Sequence, residues 1–424
     1  MRNIYSIKNF RVFDQEGVEV EIRPITLLTG CNSSGKSSIV KSLVLLNDFL
    51  SNIQRDKQNN QPIRLHKYQL DFTRKPNNLL GTFQKIKHKT SRAAISSSGL
   101  SAHAPIAGEQ APISFAYNVH SNILGQDVRV TLDFNDRDGS DQTNGYLTGF
   151  SIQDLDGKIL YSSRENDELT SDPSAGGQQL VEDVMTQDMT DSLSYVSSSI
   201  VNVKRLYSLE AEDEFTRILK SYLTAVKTSH RADYSPTTFI NRWVKIFNIG
   251  DHITIESDPD QLGAVIRLCM KDEKHGALLA DFGYGITQLF AVMLRIELAI
   301  LDGKPTTTIA FEEPEVHLHP RFQSILAEMF VDAYKTYNIQ FIVETHSEYL
   351  VRKMQTIVAH EIINPTDVSL VYVYDSDPEK RPMYVPQIKQ IDIDADGRLT
   401  EPLGSGFLDE ANNLSIDLLR AMKE

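Results

Sequence analysis

The stretch Thr29–Ser38, TGCNSSGKSS, follows the apolar run Pro24–Leu28, PITLL. Gly30 to Ser37 satisfies the pattern G-x-x-x-x-G-K-[ST] in full, with a strand-like run before it and a helix-like run after it. Each residue type has a physical reason to be there. Glycines let the backbone bend until successive N–H groups converge on phosphate oxygens. The start of the following helix adds partial positive charge. Lys36 is placed to reach the outer phosphates, and Ser37 to ligate Mg²⁺. Gly30, Asn32, Ser33, Ser34, Gly35, Lys36, Ser37 and Ser38 are therefore the candidate triphosphate-binding residues.

Downstream of Gly35, Ile39, Val40, Leu43, Val44, Leu46, Phe49 and Leu50 fall at helical spacing, which predicts a helix with one buried face. Upstream, IYSIKNFRVF and VEVEIRPITLLTG alternate as strands do.

Three further motifs bear on the chemistry. In Thr306–Pro320, TTTIAFEEPEVHLHP, an apolar strand ends in two acids, Glu312 and Glu313. Alternation along a strand predicts that these neighbours point in opposite directions and so do different jobs. One would hold Mg²⁺ through water and the other orient the attacking water, the two roles in-line hydrolysis requires. In Phe341–Val351, FIVETHSEYLV, a second buried strand ends at Glu344-Thr345-His346, where a histidine can report a γ-phosphate. In Leu279–Phe290, LADFGYGITQLF, Gly283, Gly285 and Gln288 open a second glycine-containing helix start.

These four elements, in this order, resemble the ABC-type ATPases of the SMC/RecF/OLD (overcoming lysogenisation defect) group. The resemblance implies an α/β fold: a P-loop NTPase with a mixed sheet flanked by helices and an inserted, partly flexible lobe. It implies ATP and Mg²⁺ as ligands, with Glu312 in the Walker B role, Glu313 as catalytic glutamate and His346 as switch histidine. DFGYGITQ stands where such proteins carry their signature motif, though it departs from the usual S-G-G form. NLLGTFQKIKHKT (78–90) resembles the stretch after the first helix in these proteins, which makes Gln84 a candidate Q-loop metal residue. The implied assembly is a homodimer or higher oligomer, head to tail, in which the signature of one subunit completes the γ-phosphate site of the other.

The resemblance covers residues 1–90 and 237–424. It divides the chain into an N-terminal half-head (1–90), an insertion (91–236), a C-terminal half-head (237–369) and a β-rich extension (370–424). Small members of the group serve antiviral defence as partners of a separate nuclease of HNH or Toprim type, in Septu- or PARIS-like pairs. The alternative is a DNA-binding RecF- or SMC-like repair or chromosome-maintenance ATPase.

Composition bounds these readings. The chain has 424 residues, 41% hydrophobic and 24% charged, as in an ordinary globular protein. Two cysteines, Cys31 and Cys269, are too few for a disulfide framework and fit a reducing cytoplasm. No signal peptide is expected, and the longest apolar run, Leu289–Leu301, is interrupted by Arg295 and Glu297, so no membrane partner is expected. The net charge of −14 argues against a generally nucleic-acid-coating surface. Its distribution is uneven: 52–92 carries ten Lys/Arg against two Asp, and 136–191 thirteen Asp/Glu against three Lys/Arg. A nucleic acid is therefore kept as a candidate partner for the basic stretch.

Two weaker signals are set aside. Asp392–Gly397, DIDADG, starts like a calcium loop, but Leu403 stands where the twelfth-position Glu is needed, so a hairpin turn is expected. Asp375 and Asp377 follow a strand as in Toprim nucleases, but no upstream glutamate strand accompanies them.

Overall fold

The structure, a computed structural model, describes residues 3–59, 61, 65–72, 80, 83–87, 111–136, 143–164, 175–186, 193–200, 203–228, 235–257, 262–271, 273, 276–382, 385–404 and 407–422. Its strands are β1 (Asn3–Lys8), β2 (Val18–Ile22), β3 (Ile25–Gly30), β4 (Gln69–Asp71), β5 (Ile113–Ser121), β6 (Gln126–Asn135), β7 (Asn144–Asp154), β8 (Ile159–Arg164), β9 (Leu193–Val196), β10 (Tyr207–Ser208), β11 (His252–Ser257), β12 (Gly263–Cys269), β13 (Ala277–Leu278), β14 (Thr307–Glu312), β15 (Ile339–Glu344), β16 (Val368–Val373) and β17 (Ile388–Ile391). Its helices are α1 (Lys36–Gln58), α2 (Phe83–Ile86), α3 (Ala175–Thr186), α4 (Glu214–Thr228), α5 (Thr238–Ile246), α6 (Tyr284–Asp302), α7 (Pro320–Tyr337), α8 (Glu348–Ala359) and α9 (Glu410–Ala421). The chain divides into two compact units. One comprises Met1–Ile22, Cys31–Met189 and Val373–Ile388, and the other Arg23–Gly30, Thr190–Tyr372 and Lys389–Glu424.

The first unit is built on an antiparallel sheet in the order β2-β1-β5-β6-β7-β4, with β8 paired to β7. Its buried face is aromatic: Phe49 of α1 meets Phe134 edge-on at 5.1 Å, and Phe10 meets Phe115 edge-on at 5.7 Å. The apolar positions of α1 picked out by periodicity, from Ile39 to Leu50, are buried. The acidic tract after Asp136 holds more order than its composition suggests. β7 alternates buried Leu147, Phe150 and Ile152 with polar residues, so it reads as a strand once the pairing partner is known.

The second unit carries a sheet in the order β17-β16-β3-β15-β14-β9, in which β3, β15, β14 and β9 run parallel. β3, buried at all six positions, is the continuous apolar strand expected for a covered parallel sheet. A smaller antiparallel sheet, β10-β12-β11 with β13, belongs to the same unit. The tail forms the expected hairpin turn: Gly397 N donates to Asp394 O (2.9 Å), and Ile393 bridges to Leu399. It then ends in α9, a helix absent from the strand reading of the tail, with Leu414, Leu418 and Leu419 exposed.

Helix α6 is the one described helix long and apolar enough to cross a membrane, and 78% of that window is buried inside the protein. It is a core helix of this unit, and its two interrupting charges have partners there. Arg295 Nε donates to Ser194 Oγ at 3.1 Å. Glu297 is fully buried and accepts from the backbone N–H groups of Thr237 (2.9 Å) and Ile240 (3.1 Å). The start of α5 has no side-chain cap of its own, so a carboxylate from α6 satisfies its first amides and complements its dipole. Glu297→Ala leaves the buried Ile240 amide and the half-buried Thr237 amide without these acceptors. It is expected to lower unfolding free energy by about 2–4 kcal/mol, each orphaned group costing about 1–3 kcal/mol. Denaturant unfolding of the variant beside Glu297→Gln, which retains one acceptor oxygen, checks this.

Candidate functional site

The glycine-rich loop begins where β3 ends, at Gly30. Gly30 (φ 134°), Ser33 (φ 58°) and Gly35 (φ 120°) all take positive φ, so the backbone turns three times within six residues. Gly35 is required for two reasons. Its φ is one that side chains rarely adopt, and a Cβ there would stand 2.6 Å from Val12 Cγ2 and 2.9 Å from Phe13 Cζ. Helix α1 then starts at Lys36 with no side-chain cap and no acidic residue in its first turn. That leaves the start of α1 open to an anion.

Lys36 is 3% exposed, and its Nζ donates to Cys31 O at 2.6 Å, so the ammonium folds back over the loop. Ser34 is buried, and its Oγ has no hydrogen-bond partner among the described residues. Its carbonyl accepts from Gln387 Nε2 at 3.2 Å. Asn32 and Ser33 are exposed, Ser37 is half-buried and Ser38 is buried. The repeated left-handed turns, the uncapped helix start and the unpartnered Ser34 hydroxyl fit a triphosphate. Ser37, a hydroxyl at the head of α1, has the chemistry of a Mg²⁺ ligand.

The carboxylates stand at the C-terminal edge of the parallel sheet. The register pairs Glu312 with Glu344, and Glu344 with Leu28, so β14 and β15 end together, two residues before β3 ends at Gly30. Ligand sites of parallel α/β sheets form at such edges. Glu312 is the last residue of β14 and accepts a hydrogen bond from Tyr195 Oη of β9. Burial and the Glu312 charge push the Tyr195 phenol far up, so it remains a donor. Sequence reading missed Tyr195, because β9 lies in a polar tract and only its parallel pairing with β14 brings it to this edge.

Glu313 corrects the reasoning from strand alternation. It lies beyond the strand in the left-handed region (φ 46°), with its N–H donating to Glu344 O at 2.8 Å. A turn, not the pleat, separates the two acids. His346 Nε2 lies 3.6 Å from Glu313 Oε1, and ligand atoms of Glu313, Glu344 and His346 lie within 4.8 Å of one another. Glu344, which the sequence reading did not single out as a ligand, thus joins a group able to hold a cation. Glu315, two residues past Glu313, is buried and accepts from Thr345 Oγ1 and His346 N, each at 2.7 Å.

At the other glycine-containing helix start, Gly283 is the N-cap of α6 and is exposed, as is Tyr284. A Cβ on Gly285 would stand 2.5 Å from His317 O, so this glycine permits close approach to the turn that carries Glu313. The Gln288 side chain is 2% exposed and faces the core. Gln84 lies on α2, and its side chain is outside the described residues.

Residues 1–351 match the AAA ATPase domain family, and the chain belongs to that family. Its fold is the mixed α/β P-loop ATPase fold expected from the motifs. No curated protein matches the chain. Among solved structures it is similar to an SMC head bound to the C-terminal winged-helix domain of ScpA: 12% identity over 92% of this chain and 97% of that one, TM-score 0.47. It is also similar to an SMC head domain from Thermotoga maritima, with 14% identity, 89% and 97% coverage and TM-score 0.39. A third is a Pyrococcus furiosus Smc head with an extended coiled coil, bound to the C-terminal domain of ScpA: 11% identity, 99% coverage of both chains and TM-score 0.41. The assignment rests on the family match.

Gly35→Ala forces a side chain into the left-handed region and against Val12 and Phe13. It is expected to destabilise the protein by about 1–3 kcal/mol. Denaturant unfolding measures this without reference to any ligand.

Proposed function

We propose that the protein binds and hydrolyses ATP with Mg²⁺, dimerises around ATP and acts as an ABC-type switch on a separate effector. The observation that carries the ATPase part is the shared edge of β3, β14 and β15. It sets Glu312 and Glu344 level with Leu28, two residues before β3 enters the glycine-rich loop at Gly30. The family match supports the same reading.

Lys36 and the turning amides of the loop bind the triphosphate, and Ser37 and Glu312 hold the metal, with Gln84 as a further candidate ligand. Bound Mg²⁺ supplies neutralisation of charge on the phosphate oxygens. Tyr195 orients Glu312 by donating to one of its oxygens. Glu313, aimed by its left-handed turn, accepts a proton from the attacking water or orients it. His346, beside Glu313, contacts the γ-phosphate and reports its presence. The exposed Gly283 and Tyr284 present the signature start of α6 to a partner subunit, with Gly285 held against His317; buried Gln288 supports that start from within.

By the resemblance of TGCNSSGKSS, EEPEVHLHP and ETHSEYL, the effector is a nuclease of HNH or Toprim type. The setting is then prokaryotic antiviral defence in the cytoplasm. A second reading, a DNA-binding RecF- or SMC-like ATPase, draws on the ten Lys/Arg of 52–92, of which Arg55 and Lys57 lie in the last turn of α1.

Lys36→Ala is expected to abolish ATP binding, and Glu313→Gln to preserve binding while stopping turnover. Tyr195→Phe should lower turnover about 10–100-fold, as loss of an outer partner of a metal-side ligand does. Phosphate release and nucleotide titration separate these outcomes; wild-type rates in Lys36→Ala and Glu313→Gln overturn the site. For the second reading, duplex-DNA affinity should fall steeply between low and physiological salt. Absent or salt-insensitive binding in a filter-binding titration rejects it.

A further inference from the structure

His346 lies beside Glu313, and the two sit on different segments. Glu313 is on the turn after β14, and His346 is on the link between β15 and α8. That link leaves the sheet at Glu344, with Thr345 N still donating to Leu28 O of β3 (2.9 Å), and becomes helical at Glu348. The backbone that carries the imidazole has to be held closely, because a misplacement of about 1 Å can cost about 100-fold in rate.

Glu315 has the geometry to do so. It stands on the same turn as Glu313, closed by Val316 N donating to Glu313 O (3.1 Å) and Leu318 N to Glu315 O (3.0 Å). Its Oε1 accepts from both Thr345 Oγ1 and His346 N at 2.7 Å. The same Thr345 hydroxyl accepts from Ser347 N (3.0 Å), so one carboxyl oxygen organises three consecutive residues. A second strut runs parallel to it. Ser347 Oγ donates to Gln323 Oε1 (2.7 Å), and Gln323 Nε2 donates to Leu318 O (2.9 Å).

We propose that Glu315 is a positioning residue, its buried carboxyl tethering the Thr345–His346 backbone to the Glu313 turn and so holding the histidine against the catalytic acid. The kinetic part of this inference rests on the reading of Glu313 and His346 as hydrolytic residues. Burying a carboxyl group is costly unless hydrogen bonds offset it; both bonds of Oε1 go to the segment being positioned, and the buried Oε2 has no partner among the described residues. Burial pushes the Glu315 carboxyl up from its ordinary value, and the neighbouring Glu313 charge adds to this. A neutral group suffices for the tether, because the work is done by an acceptor oxygen. Glutamine retains such an oxygen; alanine does not.

Hydrogen exchange by mass spectrometry and steady-state kinetics on the full chain test this together. Glu315→Ala should raise exchange at 346–347 while leaving 339–343 of β15 unchanged. It should lower kcat about 10–100-fold, as loss of an outer-shell partner does, with KM for ATP within about twofold. Glu315→Gln should keep wild-type exchange and recover kcat to within about threefold. Should Glu315→Ala not fold, Glu315→Leu fills the volume without an acceptor and carries the same expectations. Wild-type protection at 346–347 in the acceptor-free variant overturns the tether. So does a Glu315→Gln protein that is folded but as impaired as the alanine variant. If the wild type hydrolyses no ATP, the proposed function fails, and the exchange contrast alone still decides the tether.

Discussion

The parallel register of β3, β15 and β14 is the constraint on which the chemistry depends. It aligns Leu28, Glu344 and Glu312 on one level, so that β14 and β15 end beside the last residues of β3, though the three segments are far apart in sequence. Residues paired in register point to the same face, and a slip of one residue would send Glu312 and Glu344 to opposite faces. The register is held by burial. β3 is buried throughout, β14 and β15 nearly so, and Phe311, Phe330 and Phe341 stack or tilt against one another at 4.8–6.3 Å. An apolar core of this kind tolerates little shift, because interiors are close-packed.

Upon that frame, polar side chains in the same unit act as supports. Tyr195 holds Glu312, Glu315 holds the His346 link, and Glu297 caps α5 from within the core. Each is a buried or half-buried polar group whose partner is backbone or a site residue. Such arrangements cost desolvation and give direction in return, which a purely apolar core does not supply. Ser347 and His319 serve the two helices nearest the edge more simply, as N-caps of α8 and α7 that accept from Leu350 N and Arg321 N.

The candidate site was legible in part. Gly30–Ser38, Glu312, Glu313 and His346 stand out because the chemistry of phosphate and water demands particular residue types at fixed spacing. Tyr195 did not, since nothing in LSYV distinguishes a site strand from a surface strand until it pairs with β14. Glu315 was quoted within its motif without a role, because its function is to accept from residues thirty positions away. Gln288 was read as a ligand residue from its place after two glycines, whereas the turn of α6 carries its side chain into the core. β7 and β8 were hidden by acidic composition, and α9 by the strand-like runs before it.

By itself the sequence determined the local events: the left-handed turns of the glycine-rich loop, the strand before it, the amphipathic α1 after it, and the acids that end β14. These depend on backbone sterics and on periodicity, which act over a few residues. Only the tertiary structure decided which strand ends lie together, that Glu313 leaves the strand in a left-handed turn, and which side chains orient the acids and the histidine. Those outcomes depend on register and on packing between distant segments, where one residue of slip reverses every side chain and no local pattern records the partner.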